Sequence, residues 1–413
     1  MKSTSLTAAG FAALSARSAA RAAGANDRLT LAVVGCGGIA GHHLGRLFPL
    51  RETENIDFAA VCDVYTTRAN QFRDRIAKET GTTPKVIGNY QDVLAMKEVD
   101  YVLFATPEHW HAKMTLDALD AGKHVYCEKP MTHTIAEAQA VVAKAKATGL
   151  KLQVGVQGMS DSRYAAANEA IRAGKLGPVI HAQIEYCRNY AANQGPWRNG
   201  EVNESTPKPE DLNWEAWLGP APKRPWNAPR YFEWRNYRDY SGGVATDLWV
   251  HRISRILTAC GLTVPTHVVS MGGIYMWPDG RDLPDNCEMV AEYPAVEGIT
   301  PGMTVHVLGT MANDHAIEHC IRGHKATLVF KGPGWEIVEE GTGKVLETYE
   351  HTGGEDVGKH HQNHHAAIRK DEPLKCPPEL GLHAVIPVVM ANESWFQRKM
   401  MTWDAKKGQA VAS

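Results

Sequence analysis

The sequence predicts an α/β chain: an N-terminal doubly wound parallel sheet of the Rossmann type, followed by an α+β part with a mainly antiparallel sheet. Three observations carry that expectation. Short apolar, β-branched runs alternate with helical segments from Arg28 to about residue 157. The first of these runs ends in a cluster of glycines that opens a helix. Beyond residue 157 the alternation stops, and strand-like pieces divided by glycine-rich turns take over.

The first run, Leu29-Thr30-Leu31-Ala32-Val33-Val34, has the unbroken apolar character of a strand buried on both faces. Asp57–Asp63, Val99–Thr106, His124–Cys127 and Leu152–Val156 repeat the pattern, and Thr66–Thr80 and Ile135–Thr148 have helical periodicity. Residues 27–157 therefore form one expected unit and 158–413 a second. Within the second, residues 193–240 are rich in Pro, Trp, Asn and Arg. That composition predicts an ordered insertion, because flexible linkers are poor in aromatics. Met303–Thr310, Ala326–Phe330 and Trp335–Glu339 read as strands of an antiparallel sheet with one helix-covered face. Lys359–Arg369 and Leu380–Phe396 read as closing helices.

Composition narrows the function classes. The 413 residues hold 44 Lys+Arg against 46 Asp+Glu, a net charge of −2, which leaves no basic excess for nucleic acid or an anionic membrane. With 44% hydrophobic and 22% charged residues the chain can bury sizeable cores. No uncharged apolar run reaches the ~18 residues of a spanning helix. The eight cysteines make no CxxC pair and no zinc-type spacing, so buried free thiols are expected and no metal site. Residues 3–25 are almost all small or mildly apolar and contain no acid, like the h-region and Ala-rich cleavage region of a secretory signal, although only Met1-Lys2 precede them, so residues 1–26 are expected to stand outside the fold. An exported protein is expected, with a disordered leader on a cytoplasmic protein as the alternative.

Gly35-Cys36-Gly37-Gly38-Ile39-Ala40 matches G-x-G-x-x-[G/A] between a strand and a helix. Gly35 would make the tight turn, Gly37 would admit a pyrophosphate, and Ala40 would let helix and strand approach closely. The helix N-terminus then faces the phosphates. Asp63 ends the next strand, 28 residues past Gly35. A carboxylate there accepts hydrogen bonds from an adenosine ribose and repels a 2′-phosphate, which favours NAD. Arg68 leaves NADP open, since it can pair with that phosphate.

Thr106-Pro107-Glu108-His109-Trp110-His111 and Ala121-Gly122-Lys123-His124-Val125-Tyr126-Cys127-Glu128-Lys129-Pro130 are more specific. They resemble the Gfo/Idh/MocA oxidoreductases, the family of glucose–fructose oxidoreductase and inositol dehydrogenase, and the resemblance runs from about residue 28 to Trp403-Asp404. It implies that Thr106, Pro107, His111, Glu128 and Lys129 adjoin the cofactor, and that Lys129 also hydrogen-bonds the substrate oxygen. A second signature of the family is an acid and a histidine four residues apart after a glycine pair. Here it appears as Asp247 and His251 after Gly242-Gly243. On a helix those two share a face. The family reading makes His251 the base for a hydroxyl proton, Lys129 the stabiliser of the alkoxide, and Asp247 the group that orients the sugar.

The tract His360-His361-Gln362-Asn363-His364-His365 offers i,i+4 imidazoles but no further ligand at zinc spacing, so His361 is expected as a substrate contact only. Seven of the eleven tryptophans, Trp249 among them, fall between residues 197 and 277. Aromatic faces there suit sugar rings. Arg163, Tyr186 and Arg188 are expected near the cleft if a sixth strand ends at Gln157.

The expected activity is hydride transfer between a nicotinamide cofactor and a sugar, polyol or sugar derivative, in a dimer or tetramer. One alternative is a glycosidase that oxidises, eliminates and re-reduces its substrate with a tyrosine base (Tyr186, Tyr190, Tyr237 or Tyr240). The other is a non-catalytic sensor.

Overall fold

The structure, a computed structural model, describes residues 27–198 and 200–413. The leader expected over residues 1–26 lies outside them. The first sheet is built from β1 (Leu29–Val34), α1 (Gly38–Leu47), β2 (Ile56–Cys62), α2 (Thr66–Thr80), β3 (Lys85–Ile87), α3 (Tyr90–Leu94), β4 (Tyr101–Phe104), α4 (Glu108–Asp120), β5 (His124–Glu128), α5 (Ile135–Thr148) and β6 (Leu152–Gly155). All six strands are parallel, in the order β3-β2-β1-β4-β5-β6. Strand order reverses between β1 and β4, so a crevice opens at their carboxyl ends. The segment α5 starts with a capping box, Thr134 with Glu137, and stops at Gly149 in the left-handed conformation.

The rest comprises α6 (Arg163–Arg172), β7 (Val179–Asn189), α7 (Trp214–Leu218), α8 (Ala228–Phe232), a π-helical turn (Val244–Trp249), α9 (Val250–Cys260), β8 (His267–Gly273), β9 (Asn286–Tyr293), β10 (Met303–Thr310), β11 (Ala312–Asn313), β12 (Cys320–Gly323), β13 (Ala326–Lys331), β14 (Gly334–Glu339), β15 (Val345–Tyr349), α10 (Val357–Lys370), α11 (Pro378–Gln397), β16 (Met401–Asp404) and β17 (Gln409–Ala412). The second sheet runs β15-β14-β13-β12-β7-β10-β9-β8-β16-β17, with β11 on β7. Only β7 and β10 pair in parallel. Strand β9 alternates buried and exposed side chains strictly. One face packs on α9 and α11 through Ile253, Leu257, Met289 and Val305, while Ile180, Val269, Met271 and Val290 on other positions stay exposed.

Three expectations need correction. The sixth strand ends at Gly155, because Val156 turns back to bond the Val154 carbonyl and a 3₁₀ turn follows over Gln157–Ser160. The tryptophans of the insertion do not present their faces for sugar stacking as a group. Trp214 stacks on Trp217 at 4.9 Å, and both pack with Trp226, Tyr231, Tyr237 and Tyr240 in a separate small core. Trp249 is fully buried in the main core, its indole lying against Gly309 where a Cβ would not fit. All eight cysteines are free thiols, seven of them buried.

Candidate active site

A cleft of about 660 Å³ opens at the strand-order reversal. One wall holds Gly35, Gly37, Gly38, Ile39, Asp63, Arg68, Thr106 and Pro107, and the insertion supplies Trp217, Tyr231, Trp234 and Arg235 opposite them. Gly35 has φ +89°, and a Cβ there would sit 2.8 Å from the Ala105 backbone, so the turn requires glycine. Above Gly37 and Gly38 there is open space instead. Gly37 caps α1, whose first turn has no acidic residue, so free N–H groups and the positive dipole end face the cleft. Ala40 lies fully buried behind the turn, as close helix–strand packing requires. These features fit a dinucleotide pyrophosphate.

Asp63 ties this turn to its neighbour. Its carboxylate accepts the Cys36 N–H at 2.7 Å and the Tyr65 N–H at 2.8 Å, and it still lines the cleft. Arg68 lies between the rings of Tyr65 and Tyr231, 5.5 Å from each. The insertion is pinned over this end of the cleft by main-chain and side-chain hydrogen bonds. Asn213 N–H donates to the Val64 carbonyl at 2.8 Å, and the Thr67 N–H and hydroxyl donate to Asp211 at 2.6 and 2.7 Å. Trp110 donates its indole N–H to the Trp217 carbonyl at 2.8 Å.

Because a side chain at Gly37 would project into open space rather than into protein, Gly37→Val is expected to fold normally. It should lose NAD affinity by at least tenfold in calorimetry, with an unchanged melting temperature. Unchanged affinity would remove the pyrophosphate from this turn.

At the other end of the cleft, Arg235 reaches the chemistry-bearing cluster. Lys129 Nζ donates to Asp247 Oδ1 at 2.8 Å and to the Asp247 carbonyl at 2.9 Å, and Arg235 Nε donates to the same Oδ1 at 2.9 Å. Burial alone would raise the Asp247 pKa, but the Arg235 and Lys129 charges and hydrogen bonds hold it well below the usual carboxylate range. His251 is buried and has no hydrogen-bond partner at Nδ1. Burial, followed by the Lys129 and Arg255 charges, pushes its pKa well down, so it is neutral at pH 7. Asp247 and His251 do share a helical segment, but Asp247 sits in the π-helical turn and His251 in α9. Gly243, at φ +62°, starts that turn. Insertions of this kind are concentrated at functional sites.

Glu108 is a functional residue that the sequence reading does not single out. It is buried at the start of α4 and accepts hydrogen bonds from the Ser241 hydroxyl (2.5 Å), the Thr246 hydroxyl (2.7 Å) and the Gly242 N–H (3.1 Å). One carboxylate from the first sheet thus fixes the entry to the turn that carries Asp247. A charged residue where a helix begins against an apolar strand end is the only sequence signal. Glu108→Ala leaves the buried Ser241 and Thr246 hydroxyls without their acceptor, while the Gly242 N–H keeps Thr246 Oγ1 at 2.9 Å, and is expected to cost roughly 2–3 kcal/mol in chemical denaturation. A loss below 0.5 kcal/mol would show that the donors find other partners.

Several expected contacts lie elsewhere. His111 is buried, with Nδ1 2.7 Å from the Pro130 carbonyl and Nε2 2.9 Å from the Thr106 carbonyl, so it fastens two loops together instead of lining the cleft. Two carbonyl partners require two N–H donors. Burial alone would lower its pKa, but Cys127 and these carbonyls move it up to about 9. Glu128 faces away from the cleft wall towards His43. His361 is fully buried and bonded to His43, which removes it as a substrate contact. Arg163 is paired with Asp161 and bonded to the Gly332 carbonyl. Tyr186 and Tyr190 each accept a bond from Arg188 on β7, while Tyr237 and Tyr240 belong to the insertion core. Arg235 carries no signal in its surroundings in the sequence.

Three family models match the chain: "Oxidoreductase family, NAD-binding Rossmann fold" over residues 29–156, and two of its C-terminal alpha/beta domain over 164–264 and 222–402. Inositol 2-dehydrogenase of Salmonella typhimurium is 30% identical over 169 residues, 41% of this chain and 48% of that protein. A glycosyl hydrolase family 109 protein of Shewanella baltica is 28% identical over 161 residues, 37% of this chain and 33% of its own length. The chain thus spans about half of the first relative and a third of the second. Among solved structures, the WlbA dehydrogenase of Bordetella pertussis, in complex with NADH and UDP-GlcNAcA, superposes with a TM-score of 0.66 at 16% identity, covering 91% of this chain and 99% of that one. At that identity the likeness concerns the fold. With its six-stranded parallel sheet, glycine turn and mainly antiparallel second sheet, the chain belongs to the Gfo/Idh/MocA oxidoreductase family and carries that family's NAD-binding Rossmann domain.

Proposed function

We propose that the protein oxidises or reduces a hydroxyl-bearing carbon of a sugar, polyol or sugar derivative. The observation that carries this reading is the continuity of the cleft, which runs from the glycine turn to Arg235, and through Arg235 to the Asp247–Lys129 pair. Bound NAD supplies the hydride acceptor. Lys129 uses two of its three N–H donors on Asp247 and points the third at the substrate oxygen, where an alkoxide develops. Neutral His251 takes the hydroxyl proton, and Asp247 stays ionised and holds Lys129 in place. Asp63 favours NAD over NADP by its charge at the ribose end, and Arg68 leaves room for NADP.

A panel of sugars and polyols followed at 340 nm tests this: net NADH with one of them supports the dehydrogenase. The similarity to a glycosyl hydrolase family 109 protein favours a second reading, oxidation–elimination, which would cleave a glycoside with no net NADH. Bound NAD without turnover of either kind would leave a sensor.

The strap from Asp211 to Arg235 supports a further element of the proposal. Pinned over the adenosine end by main-chain and side-chain hydrogen bonds, it makes the cofactor slow to exchange. The protein is therefore expected to purify with nicotinamide bound, visible in the spectrum of the denatured supernatant. A captive cofactor would also suit an exported enzyme, since free NAD is scarce outside the cytoplasm. The exposed apolar side chains Ile180, Val269, Met271 and Val290 suit the proposed pairing with a second copy, to be checked by light scattering.

A further inference from the structure

The histidine tract has no part in the chemistry above, yet its histidines form a fully buried polar cluster. His360, His361, His364 and His365 on α10 and His43 on α1 are all fully shielded from solvent. His43 is central. Its Nε2 lies 2.9 Å from Glu128 Oε1, and its Nδ1 lies 2.8 Å from His361 Nε2. The other Glu128 oxygen accepts the Lys129 N–H at 3.1 Å. Burial alone would raise the Glu128 pKa, but the His43 bond and the charges of Lys129 and His111 bring it below the ordinary value.

These contacts favour one arrangement of protons. An ionised carboxylate only accepts, so His43 carries a proton on Nε2. The arrangement that buries no orphaned N–H at His361 Nδ1 then has His361 donating from Nε2 to a bare His43 Nδ1. The remaining atom, His361 Nδ1, is buried with no partner. As a lone pair it is an under-satisfied acceptor, which proteins tolerate better than the orphaned N–H that the opposite arrangement would bury. The His361 ring is held flat on Tyr126, with centroids 4.3 Å apart at 24°.

We propose that His43 and His361 are positioning residues for Lys129. Through a chain of one-way hydrogen bonds they keep Glu128 a carboxylate pressed against the Lys129 backbone, while His111 fixes the far side of the same turn through Pro130. The chain joins α1, whose N-terminus faces the cofactor cleft, to the turn that aims the ammonium at Asp247. This inference rests on the reading of Lys129 as the substrate-facing group.

The test has two arms. In the native protein with histidine-selective ¹⁵N labels, both His43 and His361 are expected to be protonated at Nε2 and bare at Nδ1. A proton on His43 Nδ1 overturns the proposal, and this readout does not depend on any substrate. In the second arm, on whichever panel compound the enzyme turns over, His361→Leu is expected to lower kcat about 10–100-fold with NAD affinity retained, the usual worth of a partner that orients a functional group. His361→Gln, whose amide N–H can still donate to His43, is expected to recover to within about threefold of the parent. Parental kcat in His361→Leu, or equal impairment in both variants, overturns the proposal. If His361→Leu fails to fold, the native tautomers and His361→Gln decide. If no compound is turned over, the functional reading falls while the tautomer arm still reports.

Discussion

Lys129→Ala is expected to lower kcat by about 10²–10⁴-fold, the span usual for removing a group that stabilises charge or handles a proton at the reacting atom. NAD affinity should stay within a few-fold, because the glycine turn and Asp63 lie at the other end of the cleft. Stability should fall by only about 1–3 kcal/mol. Removing one partner of a buried ion pair commonly costs more, but Asp247 keeps Arg235 at 2.9 Å. Lys129→Arg is not expected to rescue turnover, since a planar fork cannot give two donors to Asp247 and a third to substrate from one point. Steady-state kinetics on the substrate, beside calorimetry with NAD, separate the two effects. A variant that keeps kcat within threefold while binding NAD normally would show that Lys129 does not touch the reacting oxygen.

The dependence of that experiment on Asp247 and Arg235 shows what could be read from the chain and what could not. The glycine turn, Asp63 and the parallel strands are local signals. A β-branched run ending in Gly35 and followed by a helix constrains its own backbone, and the structure keeps it. The short β3 and α3 left no usable period, at three and five residues. Lys129, Asp247 and His251 came through the resemblance, and the structure brings Lys129 and Asp247 into direct contact. Arg235 and Glu108 stayed hidden because their meaning depends on partners far along the chain. Glu108 meets Ser241, and Arg235 meets Asp247 only after the insertion has folded back over the first sheet. His361 and Trp249 failed for the opposite reason. Their residue types suggested solvent-facing recognition, but tertiary packing consumed both. Side-chain chemistry marks what a residue could do, and burial decides whether a substrate can reach it.

Burial of histidine also sets the largest expected change in stability. The melting temperature should rise modestly from pH 8 to about 7, where His111 takes up its proton in the folded state, and fall steeply below pH 6.5. Burial, offset in part by the Trp217 carbonyl, brings the His109 pKa down to about 3, and burial, offset in part by the Val154 carbonyl, brings that of His360 to about 4. Burial pushes His251, His319, His361 and His364 well below the ordinary value too. In the unfolded chain each of these takes a proton near pH 6.5. Below that pH the unfolded state binds more protons than the folded one, so stability falls as pH falls, by about 1.4 kcal/mol per unit for each histidine. His109 and His360 alone account for about 7 kcal/mol between pH 6.5 and 4, comparable with the whole stability of a typical domain. His111 works in the other sense. Its pKa of about 9 contributes stability that is complete below pH 6.5 and declines as pH rises through 9. The protein is thus most stable near neutrality. Denaturant titrations at half-unit steps from pH 8 to 4, at fixed ionic strength, measure the slope directly. His360→Gln should make the acid limb shallower by about one proton's worth, because the amide fills the site without titrating. A free energy of unfolding that stays flat down to pH 5 would mean that these histidines take up protons in the folded state as readily as in the unfolded one.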